Sequence, residues 1–231
     1  MSIQQKNNIA IFIALLFHIC GAIGILFSPY KNWFISNTSL NLMLMAGLLI
    51  FTQPSYKNWF FGFAVITAIV GFSVEVIGVN TSILFGDYSY GSLMGYKILG
   101  VPLLIGIQWF VTVYCCGVIM QYVNNWTKRK INDAEIDTKT TDKIQSVSLV
   151  IDAALLATFF DYIMEPVAQK LGYWQWKNNE IPFFNYTCWF LISGVLLFLL
   201  TKLPFNKLNQ FAIHLFIIQL LFFIALRIYL L

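Results

Sequence analysis

Five acidic residues of this sequence lie in or beside long apolar runs, where a charged side chain is costly. Asp161 and Glu165 are spaced i, i+4 and therefore share one face of a predicted helix. Glu75 lies near the end of another predicted helix, at a similar depth, and Asp87 follows in a loop. An ionisable side chain inside a membrane points to a functional site. We predict that Glu75, Asp161 and Glu165 converge, whereas Asp152 is an interface or helix-start residue.

General acid catalysis is the chemistry that such a cluster supports. A low dielectric and neighbouring like charges both favour the neutral form of a carboxyl group. Lys97 and Lys170 could reach the cluster only from predicted loops, so no buried cation is expected to pair with it. At least one carboxyl is then protonated at neutral pH, which is the state that a general acid needs. The alternative is a set of hydrogen-bonded structural acids that bridge helices.

The composition indicates that lipid is the solvent of this chain. Of its 231 residues, 59% are apolar, 17% are aromatic and only 10% are charged, and the mean hydropathy is +0.74. Soluble domains have about 45–50% apolar and about 25% charged residues. A nucleic-acid partner, a disordered chain and a secreted disulfide scaffold are therefore excluded. We predict an all-α polytopic membrane helix bundle that forms a single integral membrane domain over residues 1–231.

Seven apolar runs are predicted to be transmembrane helices, although the second is short. They cover residues 8–27, 38–53, 59–79, 100–123, 146–168, 183–201 and 208–230. The hydrophilic segment 124–145 is predicted to be a cytoplasmic loop, because cytoplasmic segments carry an excess of Lys and Arg. This orientation places nine of these residues inside and five outside. The N-terminus is then cytoplasmic, the first run is a retained helix rather than a signal peptide, and we expect a bacterial inner (cell) membrane.

Two predicted outer loops, at about 80–100 and 170–182, are rich in tyrosine or tryptophan and glycine. They serve either as interfacial anchors or as a lid over a site. Each follows an acid and contains two aromatic residues two positions apart, then a proline that opens a helix and a tryptophan seven residues later. This echo predicts a parallel internal repeat with a site between its halves. The matching residues are Glu75, Tyr88, Tyr90, Pro102 and Trp109 in the first unit and Glu165, Trp174, Trp176, Pro182 and Trp189 in the second.

Several other classes of membrane protein lack the residues that they require. A retinal-binding protein needs a lysine in its last helix, and the run 208–230 has none. A metal-dependent prenyltransferase needs acidic diphosphate-binding motifs on two helices, whereas only one spaced pair of acids, Asp161 and Glu165, is found. The two histidines, His18 and His214, are predicted to be hydrogen-bonded packing residues.

Four motifs resemble a known family. They are E-x-x-G-V-N-T-x-x-x-F-G-D-Y-x-Y from residue 75, L-G-V-P-L-x-I-G-I-x-W from residue 99, D-x-x-M-E-P-V-A from residue 161, and G-Y-W-x-W with I-P-x-x-N-Y from residue 172. These motifs are similar to those of the membrane carotenoid-biosynthesis family, which includes the CruF-type carotenoid 1,2-hydratases and the bisanhydrobacterioruberin hydratases. The resemblance covers about residues 60–230.

The resemblance implies that water adds across the terminal C1=C2 double bond of an acyclic carotenoid end group. The product is a tertiary 1-hydroxy carotenoid, and the reaction requires no cofactor or metal. The implied partners are an acyclic or monocyclic carotenoid, water and the lipid bilayer, with the oligomeric state left open. Candidate catalytic residues are Glu165, Glu75 and Asp161, and candidate substrate-binding residues are Asp87, Tyr88, Tyr90, Trp109, Trp174, Trp176, Asn80, Asn185 and Trp189.

Within this reaction, Glu165 is predicted to be the acid that protonates the alkene. Asp161 lies one turn below it to share a proton, and Glu75 is predicted to orient the water. Pro166 follows Glu165 and leaves the carbonyl of Tyr162 without its helical partner. This local break is predicted to give Glu165 polar company and room for a water. Aromatic faces can stabilise the cation, and Asn80 or Asn185 can hold the water.

Three other functions stay open at this point. A carotenoid end-group cyclase or isomerase shares the protonation step but excludes water. The small membrane lycopene cyclases carry acids directly after the loop proline, whereas Leu103 and Phe183 stand there in this chain. A non-enzymatic carotenoid- or lipid-binding protein and a transporter that uses the carboxyls as a proton relay are the remaining alternatives.

Overall fold

The fold is mostly helical. A computed structural model describes the backbone of residues 1–133 and 138–231 and the side chains of residues 1–130 and 145–231. Its helices are α1 (Ile3–Phe27), α2 (Lys31–Ser36), α3 (Thr38–Phe51), α4 (Asn58–Thr81), α5 (Leu104–Asp133), α6 (Thr138–Leu171), α7 (Phe183–Lys202) and α8 (Gln210–Leu230).

Six of the described helices are long and apolar enough to cross a membrane, which makes this an integral membrane protein. They are α1, α4, α5, α6, α7 and α8. Of the seven predicted spans, the second, predicted to be short, forms the 14-residue helix α3, which is not among these six. At 1.5 Å per residue this helix is about 21 Å long, less than the roughly 30 Å of a hydrocarbon core.

Helix α3 nevertheless joins the two faces of the bundle. Near its beginning, Ser39 Oγ donates a hydrogen bond of 3.1 Å to the carbonyl of Leu93, in the loop between α4 and α5. At its other end, Thr52 Oγ1 donates one of 3.2 Å to Asn209 Oδ1, which caps α8. We call the face with the 82–103 and 172–182 segments the loop face, and the face with the 52–57 and 203–209 turns the turn face.

The segment 124–145, predicted to be a loop, is helical over most of its length. Helix α5 continues to Asp133 and α6 begins at Thr138, so both extend well beyond their apolar portions. Hydrophilic residues are compatible with a helix that projects into water. Hydropathy identified only the apolar part of α5 and of α6, so their hydrophilic ends were predicted to be a loop. Residues 134–137 lie outside the described part of the chain.

Short strands in the loop face modify the prediction of an all-α fold. Strand β1 (Tyr88–Tyr90) pairs antiparallel with β4 (Trp174–Trp176), and β2 (Lys97–Ile98) pairs with β3 (Val101–Pro102). Gly172 ends α6 with a positive φ of 81°, which favours glycine at a helix end. The β1–β4 pair thereby ties the loop after α4 to the loop after α6, and a single turn of 3-10 helix at 177–179 follows β4.

Candidate functional site

The structure brings three buried carboxyls together at the loop face. Glu75 of α4 and Asp161 and Glu165 of α6 are at most 5% exposed, and all three line one cavity of about 20 Å³. The i, i+4 spacing puts the two α6 acids on one helix face. Strand β1 follows α4 and pairs with β4, which follows α6. This pairing brings Glu75 of α4 to the level of the two α6 acids. The cavity has room for about one water molecule.

Glu75 accepts hydrogen bonds from three uncharged donors. Its Oε2 accepts from the hydroxyls of Tyr88 at 2.5 Å and Tyr90 at 2.7 Å, and its Oε1 accepts from Trp109 Nε1 at 3.0 Å. Burial and the nearby Glu75 carboxyl raise the pKa of the Tyr88 and Tyr90 phenols well above their usual value. Both phenols therefore remain donors at neutral pH, and both oxygens of Glu75 are occupied as acceptors.

Glu165 and Asp161 receive fewer donors, and again none is charged. Trp174 Nε1 and Trp176 Nε1 both donate to Glu165 Oε2, at 2.8 and 2.7 Å. Asn185 Nδ2 donates to Asp161 Oδ2 at 2.8 Å. Among the described residues, Asp161 Oδ1 is buried and has no hydrogen-bond partner. Glu75 thus has three donors, Glu165 has two and Asp161 has one, so hydrogen bonding favours the charged form most strongly at Glu75.

The two predicted repeat units face each other across the cavity. In the β1–β4 register Tyr88 lies opposite Trp176 and Tyr90 opposite Trp174. Below the strands, the rings of Trp109 and Trp189 stack with centroids 3.9 Å apart and an interplanar angle of 3°. Matching aromatic positions thereby enclose the carboxyls from both sides. The internal repeat itself stays a prediction.

Two glycines of α4 make room for the aromatic donors of Glu75. Gly71 and Gly78 lie four residues before and three residues after Glu75, hence on its helix face. A Cβ at Gly71 would lie 2.3 Å from Trp109 Cγ, and one at Gly78 would lie 2.9 Å from the Tyr88 hydroxyl. This role of the two glycines was not predicted, although the sequence contains the G-x-x-x-E-x-x-G spacing.

Two predicted site residues lie away from the cavity. Asp87 forms an ion pair of 2.7 Å with Lys177, and both side chains are more than half exposed. Asn80 is exposed and donates hydrogen bonds to the carbonyls of Val76 and Leu99. Asn80 therefore secures the end of α4 and Asp87 links the two loops, so neither is placed to contact a substrate in the cavity.

The Tyr162 carbonyl, which Pro166 leaves without its helical partner, has a different role from the one predicted. Arg227 Nη1 of α8 donates a hydrogen bond of 2.8 Å to the carbonyl of Tyr162, and its guanidinium lies 4.8 Å from the centre of the Tyr162 ring. The freed carbonyl thus binds an arginine of another helix rather than providing polar company for Glu165. Nothing in the spacing of α6 indicated that Arg227, 65 residues away, would supply this donor.

Four residues that were not predicted also line the cavity: Phe85, Ile105, Gln108 and Met164. Gln108 Nε2 donates to Met164 Sδ at 3.2 Å, at one wall. Gln108 could have been predicted as a site residue, because it is a polar residue beside Trp109 inside an apolar run. Met164 carries no such signal, since methionine is an ordinary core residue.

The histidines take the structural places that were predicted for them. His18 Nδ1 lies 2.7 Å from the Ala14 carbonyl, and His214 Nδ1 lies 2.9 Å from the Gln210 carbonyl, each one turn earlier in its helix. Among the side chains of residues 1–130 and 145–231, no three of His, Cys, Asp or Glu are grouped so that they could hold a metal ion.

Comparisons with known proteins agree with the motifs. The family model described as carotenoid biosynthesis protein matches residues 34–231. The chain is 24% identical over 213 residues to bisanhydrobacterioruberin hydratase from Haloarcula japonica, which covers 84% of this chain and 65% of the relative. No solved structure matches. Since the family match spans most of the chain and includes all three buried carboxyls, this protein belongs to the carotenoid biosynthesis protein family.

Proposed function

We propose that this protein is a carotenoid hydratase that adds water across the terminal C1=C2 double bond of an acyclic end group. The observation that carries the proposal is a cluster of three buried carboxyls whose hydrogen-bond donors, among the described side chains, are all uncharged. The relative from Haloarcula japonica is named a hydratase, and the chain spans 65% of its length. Activity, substrate and mechanism are therefore proposals for this chain.

Proton transfer to the alkene is the first step, and the Asp161–Glu165 pair supplies the proton. Two carboxyls one helical turn apart in a buried site share a proton rather than both ionising. Both indole N–H groups donate to Oε2 of Glu165, which leaves Oε1 to carry the proton. We assign delivery of the proton to Glu165, with Asp161 as the neighbour that keeps it protonated. The proton bonds to C2, and the electron pair of the double bond forms that bond.

Capture of the resulting tertiary cation at C1 by water is the second step. Aromatic faces stabilise a cation without attacking it, and Trp109, Trp189 and Tyr88 line the cavity. Glu75, whose Oε1 accepts a hydrogen bond from Trp109 alone, orients the water and accepts its proton as the C1–O bond forms. The proton then passes within the carboxyl cluster back to the Asp161–Glu165 pair. Atoms balance as alkene plus water, and no redox cofactor is consumed.

The membrane setting supports the proposed substrate and orientation. A carotenoid dissolves in the bilayer, so it reaches a site between helices laterally from lipid. The excess of Lys and Arg at 124–145 and at the turn face supports a cytoplasmic N-terminus and a loop face on the opposite side. We propose the inner (cell) membrane of a bacterium as the location.

Turnover by the purified protein tests this proposal. The protein in detergent or vesicles is incubated with lycopene, an acyclic carotenoid. The products are separated and their masses are measured by mass spectrometry. We expect a product that is heavier by one water. A product of unchanged mass would indicate a cyclase or isomerase instead. Binding of lycopene without any product would leave a non-enzymatic carotenoid-binding protein.

A further inference from the structure

A second and much larger cavity, of about 540 Å³, adjoins the carboxyl cavity. Helices α1, α3, α5, α6 and α8 contribute to its walls, and Gln108, Met164 and Trp174 line both cavities. Small-molecule sites typically measure about 300–1,000 Å³, so the larger cavity can hold a ligand. The carboxyl cavity, at about 20 Å³, holds no more than about one water.

The larger cavity is mostly apolar and has lining residues that are exposed on the bundle surface. Among the described residues that line it, none is Asp, Glu, Lys or Arg. Phe17 of α1, Trp33 of α2 and Leu40 of α3 line it and are also exposed on the bundle surface. Because α1 is long and apolar enough to cross the membrane, its exposed Phe17 faces acyl chains. Exposed lining residues on α1 and α3 indicate a lateral opening between these two helices.

A weak contact separates the two cavities. Gln108 of α5 donates to the thioether of Met164 of α6 at 3.2 Å, and a thioether is a poor acceptor. Methionine has several rotatable bonds and adapts its shape at little cost. Trp174, the third shared residue, donates its Nε1 to Glu165 while its side chain also lines the larger cavity. An apolar chain end can therefore reach the carboxyls if Met164 changes its rotamer.

We propose that the larger cavity binds an extended, unsaturated isoprenoid chain end-on, with one end passing between Gln108 and Met164 to the carboxyls. This inference rests on the proposed function and specifies how its substrate is held. Continuity with the carboxyl cavity, the absence of charge along the described lining and the opening to lipid select this occupant. A chain held end-on presents one end group per binding event. A carotenoid with two unmodified ends must therefore leave and rebind to be modified twice.

Cys20 provides a probe of the cavity. It lines the larger cavity and is exposed, whereas Cys115, Cys116 and Cys188 are buried. In the full-length Glu165→Gln variant, which binds without turnover, we expect lycopene to slow labelling of Cys20 by a bulky apolar maleimide. At a free concentration about ten times the Kd the rate falls about tenfold, since only the unliganded fraction reacts. A saturated straight-chain hydrocarbon is the control for non-specific partitioning, and Cys20→Ala identifies the labelled site.

The same modification tests whether the cavity leads to the site. Labelling should lower lycopene hydration by the wild type relative to the unlabelled wild type, whereas the same reagent should not change the rate that Cys20→Ala shows without it. We call the proposed path from the larger cavity to the carboxyls the channel. Hydration by the wild type without any protection of Cys20 would overturn the channel and leave the proposed function standing. Protection without hydration by the wild type would support the channel and overturn the proposed function. If lycopene neither protects Cys20 nor gains water, the channel is wrong as well.

Discussion

Replacing Glu165 with glutamine is expected to abolish hydration while the protein stays folded and membrane-inserted. A general acid contributes about 10²–10⁴-fold to a rate, and an amide cannot supply that proton. The fold should tolerate the change because Trp174 and Trp176 both donate to the same oxygen, Oε2, and the glutamine oxygen can accept both. The rate of product formation and the melting temperature in detergent measure the two effects separately.

Matched variants of the same chemical kind serve as controls for Glu165→Gln. Glu180→Gln makes the same exchange at an exposed loop position and should be silent. Asp161→Asn should weaken turnover more mildly, because it removes the neighbour that shares the proton but not the donor itself. Asp152, on the same helix, is exposed and accepts a hydrogen bond from Ser148, so Asp152→Asn should have nearly wild-type activity. Wild-type turnover by Glu165→Gln would remove Glu165 from the role of acid.

Replacing Glu75 with glutamine is expected to reduce both turnover and stability. Its two oxygens accept from three donors, and Trp109 Nε1 binds a different oxygen from the two tyrosines. Glutamine offers one oxygen and one NH2 group, so one side of the cluster then places donor against donor. An indole N–H can only donate, and a buried unsatisfied polar group costs about 1–3 kcal/mol.

The contrast between the two glutamate variants is the sharper part of this prediction. Both Glu→Gln exchanges remove a buried carboxyl, but only Glu75→Gln should lower the melting temperature clearly relative to Glu180→Gln. Product formation should fall in both. Equal melting temperatures for Glu75→Gln and Glu165→Gln would contradict the hydrogen-bond assignment around Glu75. Full activity of both variants would return the cluster to a purely structural role.

The carboxyl cluster could be foreseen because its signals are local in sequence. The i, i+4 spacing of Asp161 and Glu165 fixes a shared helix face, and the acid–aromatic–proline–tryptophan order links each acid to its loop. Seven apolar runs likewise indicated seven helices. The second run ends two residues later than α3, because the buried polar residues Thr52 and Gln53 leave the helix to bind Asn209 and the Asn206 carbonyl.

Contacts between distant segments could not be read from the chain. The β1–β4 pairing is set by how α4 and α6 end, and three-residue strands carry no periodicity to detect. Asp87 was a candidate because it is an acid in an aromatic loop, but it forms an ion pair with Lys177 at the surface. Arg227 reaches the Tyr162 carbonyl because α8 packs against α6, a tertiary arrangement that neither helix encodes by itself.

The origin of the product oxygen tests the hydration proposal most directly. Wild-type protein is given lycopene in water labelled with heavy oxygen, and the isotope content of the product hydroxyl is measured by mass spectrometry. Acid-catalysed hydration predicts that the hydroxyl carries the label of the solvent, and that Glu165→Gln forms no labelled product. An unlabelled hydroxyl in labelled water, with label appearing instead from heavy dioxygen, would show an oxygenase and contradict the mechanism proposed for the carboxyl cluster.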